Sequence, residues 1–314
     1  MIETSVAQSS THLLQDEGVS TVNPSGGEEV RRQSGSMIGP GESRQEAGPR
    51  MKDLLTPKVM TRIGTWNVRT LFETSKLGQA LKEMEHYNLD LLGISECRWT
   101  GSGRMTSQGH TILHSGHDSH HVGGVALIIN KKLRNSLIEW HPVDNRIIVA
   151  RFNSKYAKVT VIQIYSPTNQ AEDEEKDKFY DNLQKITDKI PRHDVTIIMG
   201  DANAKVGNDN EGEERTLGKH GVGTRNENGQ RFVDFCTLNN HTIGGTIFQH
   251  KEIHKVTWTS PNKEVLNQID HFTINNKWRS SLQDVRSYRG ADINSDHFLV
   301  IGKIKLKLRS AKKK

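Results

Sequence analysis

The sequence predicts an α/β (α+β) fold: two mixed β-sheets packed face to face with helices outside them, as one ordered domain. Three observations lead there. Strand-like runs outnumber helix-like ones, and hairpin-length connections are mixed with crossovers. Runs such as Leu91-Leu92-Gly93-Ile94 and Val195-Thr196-Ile197-Ile198-Met199 are continuously apolar, as in strands buried on both faces. No internal repeat and no run of about 18 apolar residues interrupts the pattern, so no membrane span is expected.

The elements follow in order. Residues 1–58 hold no Phe, Trp or Tyr and are rich in Ser, Gly, Glu, Gln and Arg, so they cannot offset the entropy of ordering and are predicted to be disordered. Order is expected near Thr61, in a domain spanning 59–309. Arg62 to Val68 reads as a strand, and Leu77 to Tyr87 as a helix with Leu77, Leu81 and Met84 on one face. Strands follow at Leu89 to Ser95, Gly123 to Ile129, Arg146 to Phe152 and Lys158 to Tyr165. From the acidic stretch at Glu172 a helix is predicted, with Phe179, Leu183, Ile186 and Ile190 as its apolar face. Asp194 to Met199 returns as a strand, Phe232 to Leu238 as a helix, and Val256 to Thr259, Asn267 to Ile274 and Phe298 to Leu308 as strands. In the last, Lys303, Lys305 and Lys307 alternate with Ile304, Leu306 and Leu308, which are expected to point inward.

The net charge is +6. Seven basic residues lie after Phe298, ending in the basic tail 310–314; removing them from 43 leaves 36 basic against 37 acidic residues, so the remainder is near neutral. The two cysteines, Cys97 and Cys236, cannot build a disulfide framework or a metal finger and read as buried small apolar groups. The N-terminus lacks a basic flank before an apolar core, so no secretory signal is expected and the location is read as intracellular.

Chemistry concentrates in five polar islands, each ending an apolar run: Thr65-Trp66-Asn67-Val68-Arg69, Ser95-Glu96-Cys97, Gly200-Asp201-Ala202-Asn203, Gln268-Ile269-Asp270-His271 and Ser295-Asp296-His297. Acids at strand ends sit on a sheet rim, where open α/β folds place ligands. Glu96 and Asp296 are the expected ligands of a hard cation, which needs only one or two carboxylates beside substrate phosphate. Asp201 is placed to orient or deprotonate a water, with Asn203 holding that water or the phosphate. Asp270 beside His297 favours an imidazolium that donates to a phosphate oxygen. Asn67 and Tyr165 end strands and are expected to reach the carboxylates and the phosphate. Each also has an ordinary structural reading: a cap, a turn or a packed edge. His117, His120 and His121 lie in a Gly- and Ser-rich loop without paired ligand spacing, and no metal role is expected there.

Taken in order, these islands resemble the endonuclease/exonuclease/phosphatase superfamily of Mg²⁺-dependent phosphodiesterases, over about Thr61 to Leu308. Gly64 to Arg69, Leu92 to Trp99, Tyr165 to Thr168 and Arg225-Asn226-Glu227-Asn228-Gly229 are most similar to the apurinic-type endonuclease domain of non-LTR retrotransposons of the RTE clade. The resemblance implies a four-layer α/β sandwich with its site at one edge of the two sheets. It implies Glu96 as metal ligand with Asn67 and Asp296 around the ion, which is Mg²⁺ or, in substitution, Mn²⁺. Asp201 and Asn203 would handle the water, Tyr165 and His297 the scissile phosphate, and Asp270 would orient His297. Asn226 and Trp258 would join Tyr165 and Asn203 on the substrate. Thr168 departs from the Asn that apurinic endonucleases carry after the proline. The implied partner is DNA, with no membrane, a monomeric protein and a nuclear location; the implied product ends are a 3′-hydroxyl and a 5′-phosphate. With the chain stopping near Lys314 and no room for a polymerase, a free-standing endonuclease is expected, either domesticated or a truncated element product. A non-catalytic chromatin- or protein-binding domain, and the same chemistry on RNA or a phospholipid, stay open at this point.

Overall fold

The structure, a computed structural model, describes residues 53–308. The arm expected to be disordered lies outside the described residues up to 52, as does the basic tail. From Asp53 the chain departs from the expected start at Thr61: Leu54 and Leu55 are 2% and 0% exposed within the central core. Thr61 and Ser154 donate to their carbonyls at 2.7 Å each. Two leucines with both carbonyls satisfied dock a segment that composition alone assigns to the arm.

In chain order the elements are β1 (Thr61–Asn67), α1 (Thr74–His86), β2 (Leu91–Ser95), β3 (Ser102–Ser107), β4 (His110–Ser115), β5 (Val125–Ile129), β6 (Leu137–Asp144), β7 (Ile147–Phe152) and β8 (Val159–Tyr165). There follow α2 (Asp173–Thr187), β9 (Val195–Asp201), α3 (Glu227–Leu238), β10 (His241–Ile243), β11 (Trp258–Thr259), β12 (Leu266–Asn267), β13 (Asp270–Asn275), β14 (Leu282–Tyr288) and β15 (Leu299–Ile304). One sheet of seven strands runs β14-β15-β1-β2-β5-β4-β3; a second of six runs β10-β13-β9-β8-β7-β6; β11 and β12 form a small separate hairpin. Both large sheets are mixed: β1–β2 and β8–β9 are parallel, their other pairings antiparallel.

Three apolar layers separate four structural ones, as the sequence predicts. Between the sheets lie Ile63, Leu91, Leu127, Ile148, Val161, Ile197, Phe272 and Val300. Outside the first sheet, Ala80, Leu81 and Met84 of α1 meet Leu92, Ile94, Ile128 and Ile301. Outside the second, Phe179, Leu183, Phe232 and Val233 of α2 and α3 meet Ile162, Ile164 and Ile198. Successive residues of one strand thus enter different layers, which is why these strands are apolar without alternation.

Departures from the expected elements are local. Helix α2 stops at Thr187, so Ile190 packs from the following turn. Strand β15 stops at Ile304; Leu306 stays buried, but Leu308, expected inside, is 46% exposed. The run from Asn267 is split between β12 and β13. Strands β3, β4, β6, β10 and β14 are absent from the sequence reading: β3 is a polar sheet edge, β6 an edge carrying Pro142, β14 only intermittently buried and β10 three residues long, while β4, though buried, has only Ile112-Leu113 as an apolar run between polar neighbours.

Candidate active site

Strand register brings the islands together. Parallel pairing sets Asn67 beside Ser95, hence next to Glu96. In the other sheet Tyr165 pairs with Asp201, and Asp201 with Asp270. Sheet packing then faces the two rims. Gln163, fully buried, spans the gap: its Oε1 accepts from Thr65 Oγ1 (3.1 Å) and its Nε2 donates to Ser95 Oγ (3.0 Å). Gly93 makes room for this bridge, since a Cβ there would lie 1.8 Å from Gln163 Oε1. Gly200 is needed too: its φ is +145°, and a Cβ would strike the Ile164 carbonyl at 2.0 Å.

The exits from the strands are strained. Arg69 (φ 59°), Glu96 (φ 57°) and Asn203 (φ 48°) all adopt left-handed backbone without being glycine. Such conformations cost of order 1–3 kcal/mol each and gather at functional sites.

At the centre, Asn67 donates from Nδ2 to both Glu96 Oε1 and Asp201 Oδ2, each at 2.9 Å. Its Oδ1 accepts the Arg69 N–H at 2.9 Å. Asn67 was expected among the metal ligands; its nitrogen is aimed at the two carboxylates, which it bridges, and one lone pair of its oxygen is taken by the Arg69 N–H. Asp201 also accepts the Asn203 N–H at 2.9 Å, while Asn203 Nδ2 donates to the Ser166 carbonyl at 2.9 Å. Asp201 is 2% exposed; burial, then the nearby Asp270 charge, push its carboxyl up to about 7 against the pull of His297 and Asn67.

His297 is 7% exposed, with Nδ1 3.0 Å from Asp270 Oδ2 and Nε2 3.9 Å from Asp201 Oδ2. Burial alone would lower its pKa, but Asp270, Asp201 and Asp296 outweigh this and raise it to about 9. The Trp66 indole donates to the His297 carbonyl (2.9 Å), and Ser295 Oγ to the Asn67 carbonyl (2.8 Å), tying this loop to β1. Tyr165 is half-buried; burial, with Glu96 and Asp201 beside it, raises its phenol, and Arg146 lies over its ring at 5.2 Å.

Two sets of donors suit a cation differently. Ligand atoms of Asp201, Asp270 and His297 lie within 4.8 Å of one another. With carboxylates at both ring nitrogens, however, His297 is held as an imidazolium and has no lone pair to offer. Glu96 and Asp296, the expected ligands, offer partly exposed carboxylate oxygens of the kind a hard divalent ion takes; Asp296 Oδ1, like Asp270 Oδ1, is buried without a partner.

The other expected residues separate by role. The Trp258 indole donates to Asp296 Oδ2 at 3.2 Å, so it shapes the site rather than only facing substrate. Asn226, expected on the substrate, is the N-cap of α3: its Oδ1 accepts from Gly229 N (2.8 Å) and Lys205 N (3.0 Å), which gives it a structural duty. Asn228, given no role from sequence, instead donates to the Pro167 and Asn203 carbonyls. Thr168 is exposed, while Asn169 beside it accepts the Asn228 N–H. His117 and His120 approach to 3.4 Å, but His117 Nδ1 already accepts two backbone N–H groups in a turn. Sequence reasoning also missed Arg98, 3.1 Å from Glu96, and Arg69, 3.8 Å from Asp296. Arg69 closes the first island and Arg98 directly follows the second, which was the available signal.

Known proteins resemble this chain in sequence and in fold. The chain is 43% identical over 247 residues to craniofacial development protein 2 of Bos taurus and 42% identical to that of Tragulus javanicus; each match covers 79% of this chain but only 41% and 42% of the relative. The chain therefore spans well under half the length of these relatives. Among solved structures it resembles the endonuclease domain of TRAS1, a telomere-specific non-LTR retrotransposon (TM-score 0.58, 14% identity, 79% of this chain and 99% of that one). It also resembles an AP endonuclease from Archaeoglobus fulgidus (TM-score 0.56, 14% identity, 78% and 100%). At such identities these two establish the fold alone. The model of the endonuclease/exonuclease/phosphatase family matches residues 64–297, with all five islands inside it, and the chain belongs to that family.

Proposed function

We propose that this chain is a divalent-metal-dependent phosphodiesterase that nicks DNA, leaving a 3′-hydroxyl and a 5′-phosphate. The observation that carries this reading is the placing of Asp201 between the Asn67 amide and the His297 imidazolium, with Asp270 behind the latter. Asp201, brought near neutrality by burial, takes the proton of the attacking water, and Asn203 holds that water in line. His297 donates from Nε2 to a non-bridging phosphate oxygen, and Tyr165 supplies a second donor that its raised pKa keeps protonated. Glu96 and Asp296 would hold Mg²⁺ or Mn²⁺, which supplies stabilisation of charge developing on the phosphate and leaving oxygen. Asn67, donating to both Glu96 and Asp201, holds the two carboxylates in place against their mutual repulsion. Acting on DNA, the protein would work in the nucleus.

The test is conversion of supercoiled plasmid to open circle by purified protein, with Mg²⁺, with EDTA, and with Asp201→Ala. Nicking that needs the metal and falls about 10²–10⁴-fold in the variant supports the reading. Well-folded protein that leaves plasmid and abasic DNA intact sinks it, and points to a binding role or another phosphodiester.

A further inference from the structure

Phe72 is 60% exposed, yet it is held in place. Its ring packs on the His121 imidazole, with centroids 4.2 Å apart and planes at 44°. His121 Nδ1 in turn donates to the Arg98 carbonyl at 2.9 Å. The loop that carries Phe72 is fixed from below. Leu71 N donates to the Cys97 carbonyl (3.0 Å), the Trp99 indole to the Leu71 carbonyl (3.1 Å), and Phe72 N to Thr70 Oγ1 (3.0 Å). Lone exposed apolar side chains are ordinary and need no explanation. This one differs in three ways: a second ring braces it, its loop is tied to the loop of Glu96, and two partly exposed arginines belong to the same two loops. Arg69 and Arg98, with side chains 56% and 41% exposed, lie three residues before Phe72 and one residue before Trp99. A rigid apolar ring beside cations complements a nucleobase joined to its phosphates, because a base stacks through its face while the backbone meets the charge.

We propose that Phe72, braced by His121, is a stacking platform for one nucleobase flanking the scissile phosphodiester, so that the site takes DNA with an unpaired base beside the cut in preference to uniform duplex. A base inside an intact duplex has both faces covered and must be unstacked first, whereas a bulged base has already lost that stacking. This selectivity rests on the DNA-hydrolase reading above, but the platform itself is testable without hydrolysis.

Two duplexes of one sequence serve as probes, one fully paired and one with a single bulged 2-aminopurine. Their affinities are read by anisotropy, and the stacking by 2-aminopurine fluorescence, in EDTA; single-turnover cleavage is then read in Mg²⁺. The proteins are wild type, Phe72→Ala and Phe72→Trp. Wild type should bind the bulged duplex about 5- to 150-fold tighter and quench its fluorescence, Phe72→Ala should bring that ratio near one, and Phe72→Trp should retain it. A wild-type ratio of one, or a ratio unchanged in Phe72→Ala, overturns the proposal. If the Phe72-dependent ratio appears in EDTA while neither duplex is cut in Mg²⁺, the platform stands and the hydrolase reading falls. If both duplexes are cut at equal rates by wild type and Phe72→Ala, the reverse holds.

Discussion

Replacing Asp270 by Asn removes one charge from the site while keeping volume and a hydrogen-bond acceptor for His297 Nδ1. Two groups should respond in the same direction. His297 stands at about 9 because Asp270, Asp201 and Asp296 overcome the burial that would otherwise lower it. Asp201 stands at about 7 through burial and then through Asp270. Deleting the Asp270 charge therefore lowers both. In the proposed reaction Asp201 must be ionised and His297 protonated, so the rate rises through about pH 7 and falls through about pH 9, with its maximum near pH 8. The two limbs are macroscopic values belonging to the coupled pair. In Asp270→Asn the whole bell should move toward acid.

The size of the effect on the alkaline side can be worked out. If His297 returns to the ordinary histidine value of about 6.5, the shift of about 2.5 units is worth about 3.4 kcal/mol. At pH 8 the protonated fraction falls from about 0.9 to about 0.03, a loss of about 30-fold. At pH 6 the corresponding loss is less than about 1.5-fold, so the variant recovers where wild type fades. A bound cation lowers the limbs in both proteins, and the comparison between them survives. The assay is single-turnover nicking of a labelled duplex from pH 5.5 to 10 at fixed ionic strength. General damage to the fold would reduce the height of the bell without moving it, and that outcome would refute the assignment of His297 as the group lost at high pH.

Other consequences are independent of that one. Asn67→Ala leaves Glu96 and Asp201 facing each other without the shared amide; nicking should fall by at least about 10-fold, with a higher Mg²⁺ concentration at half-maximal rate. Gly93→Ala drives a methyl into the Gln163 bridge and should cost about 1–3 kcal/mol in urea unfolding, largely recovered by pairing it with Gln163→Ala. Cys97 is 0% exposed and burial pushes its thiol up to about 12, so a thiol reagent at pH 8 should modify it only on unfolding. Burial lowers His241 to about 4. The unfolded state therefore binds the proton first, and up to about 3 kcal/mol of stability is lost as pH falls from about 6.5 to 4; His241→Asn should flatten that slope in urea titrations.

How much of this was legible in the sequence depends on what each feature answers to. The doubly buried strands could be read directly, because a residue such as Leu91 faces the other sheet while Leu92 faces α1, and both neighbours demand apolar groups. The edges β3 and β6 could not, since one free side removes that demand, and neither could β4, where buried His110, Thr111 and Ser115 interrupt the apolar run although Ile112 and Leu113 enter two different layers. The site residues were visible as types at strand ends, but their duties were not. Asn67 and Asn226 each looked able to touch ligand. Which of them nears the chemistry depends on where their amides end: Asn67 between two carboxylates, Asn226 on the first turn of α3. Leu54 and Leu55 were hidden by the polar composition around them.

The two sheets must hold Glu96 and Asp201 apart by a single amide, although each acid belongs to a different sheet and apolar packing between sheets is tolerant of small slides. The Thr65–Gln163–Ser95 bridge answers that need. A slide of one sheet by about an ångström would cost little in buried area, but it would strand the buried amide of Gln163 without partners, at roughly 1–3 kcal/mol. The polar bridge is a sharper ruler than the hydrophobic layer around it, and Ser95 immediately precedes Glu96 while Gln163 lies two residues before Tyr165. On this argument Gln163→Leu should leave the protein folded, at a cost of about 1–3 kcal/mol for the buried Thr65 hydroxyl that loses its acceptor, while lowering the nicking rate by more than that loss of stability accounts for. Equal losses of stability and rate would instead make the bridge an ordinary part of the core.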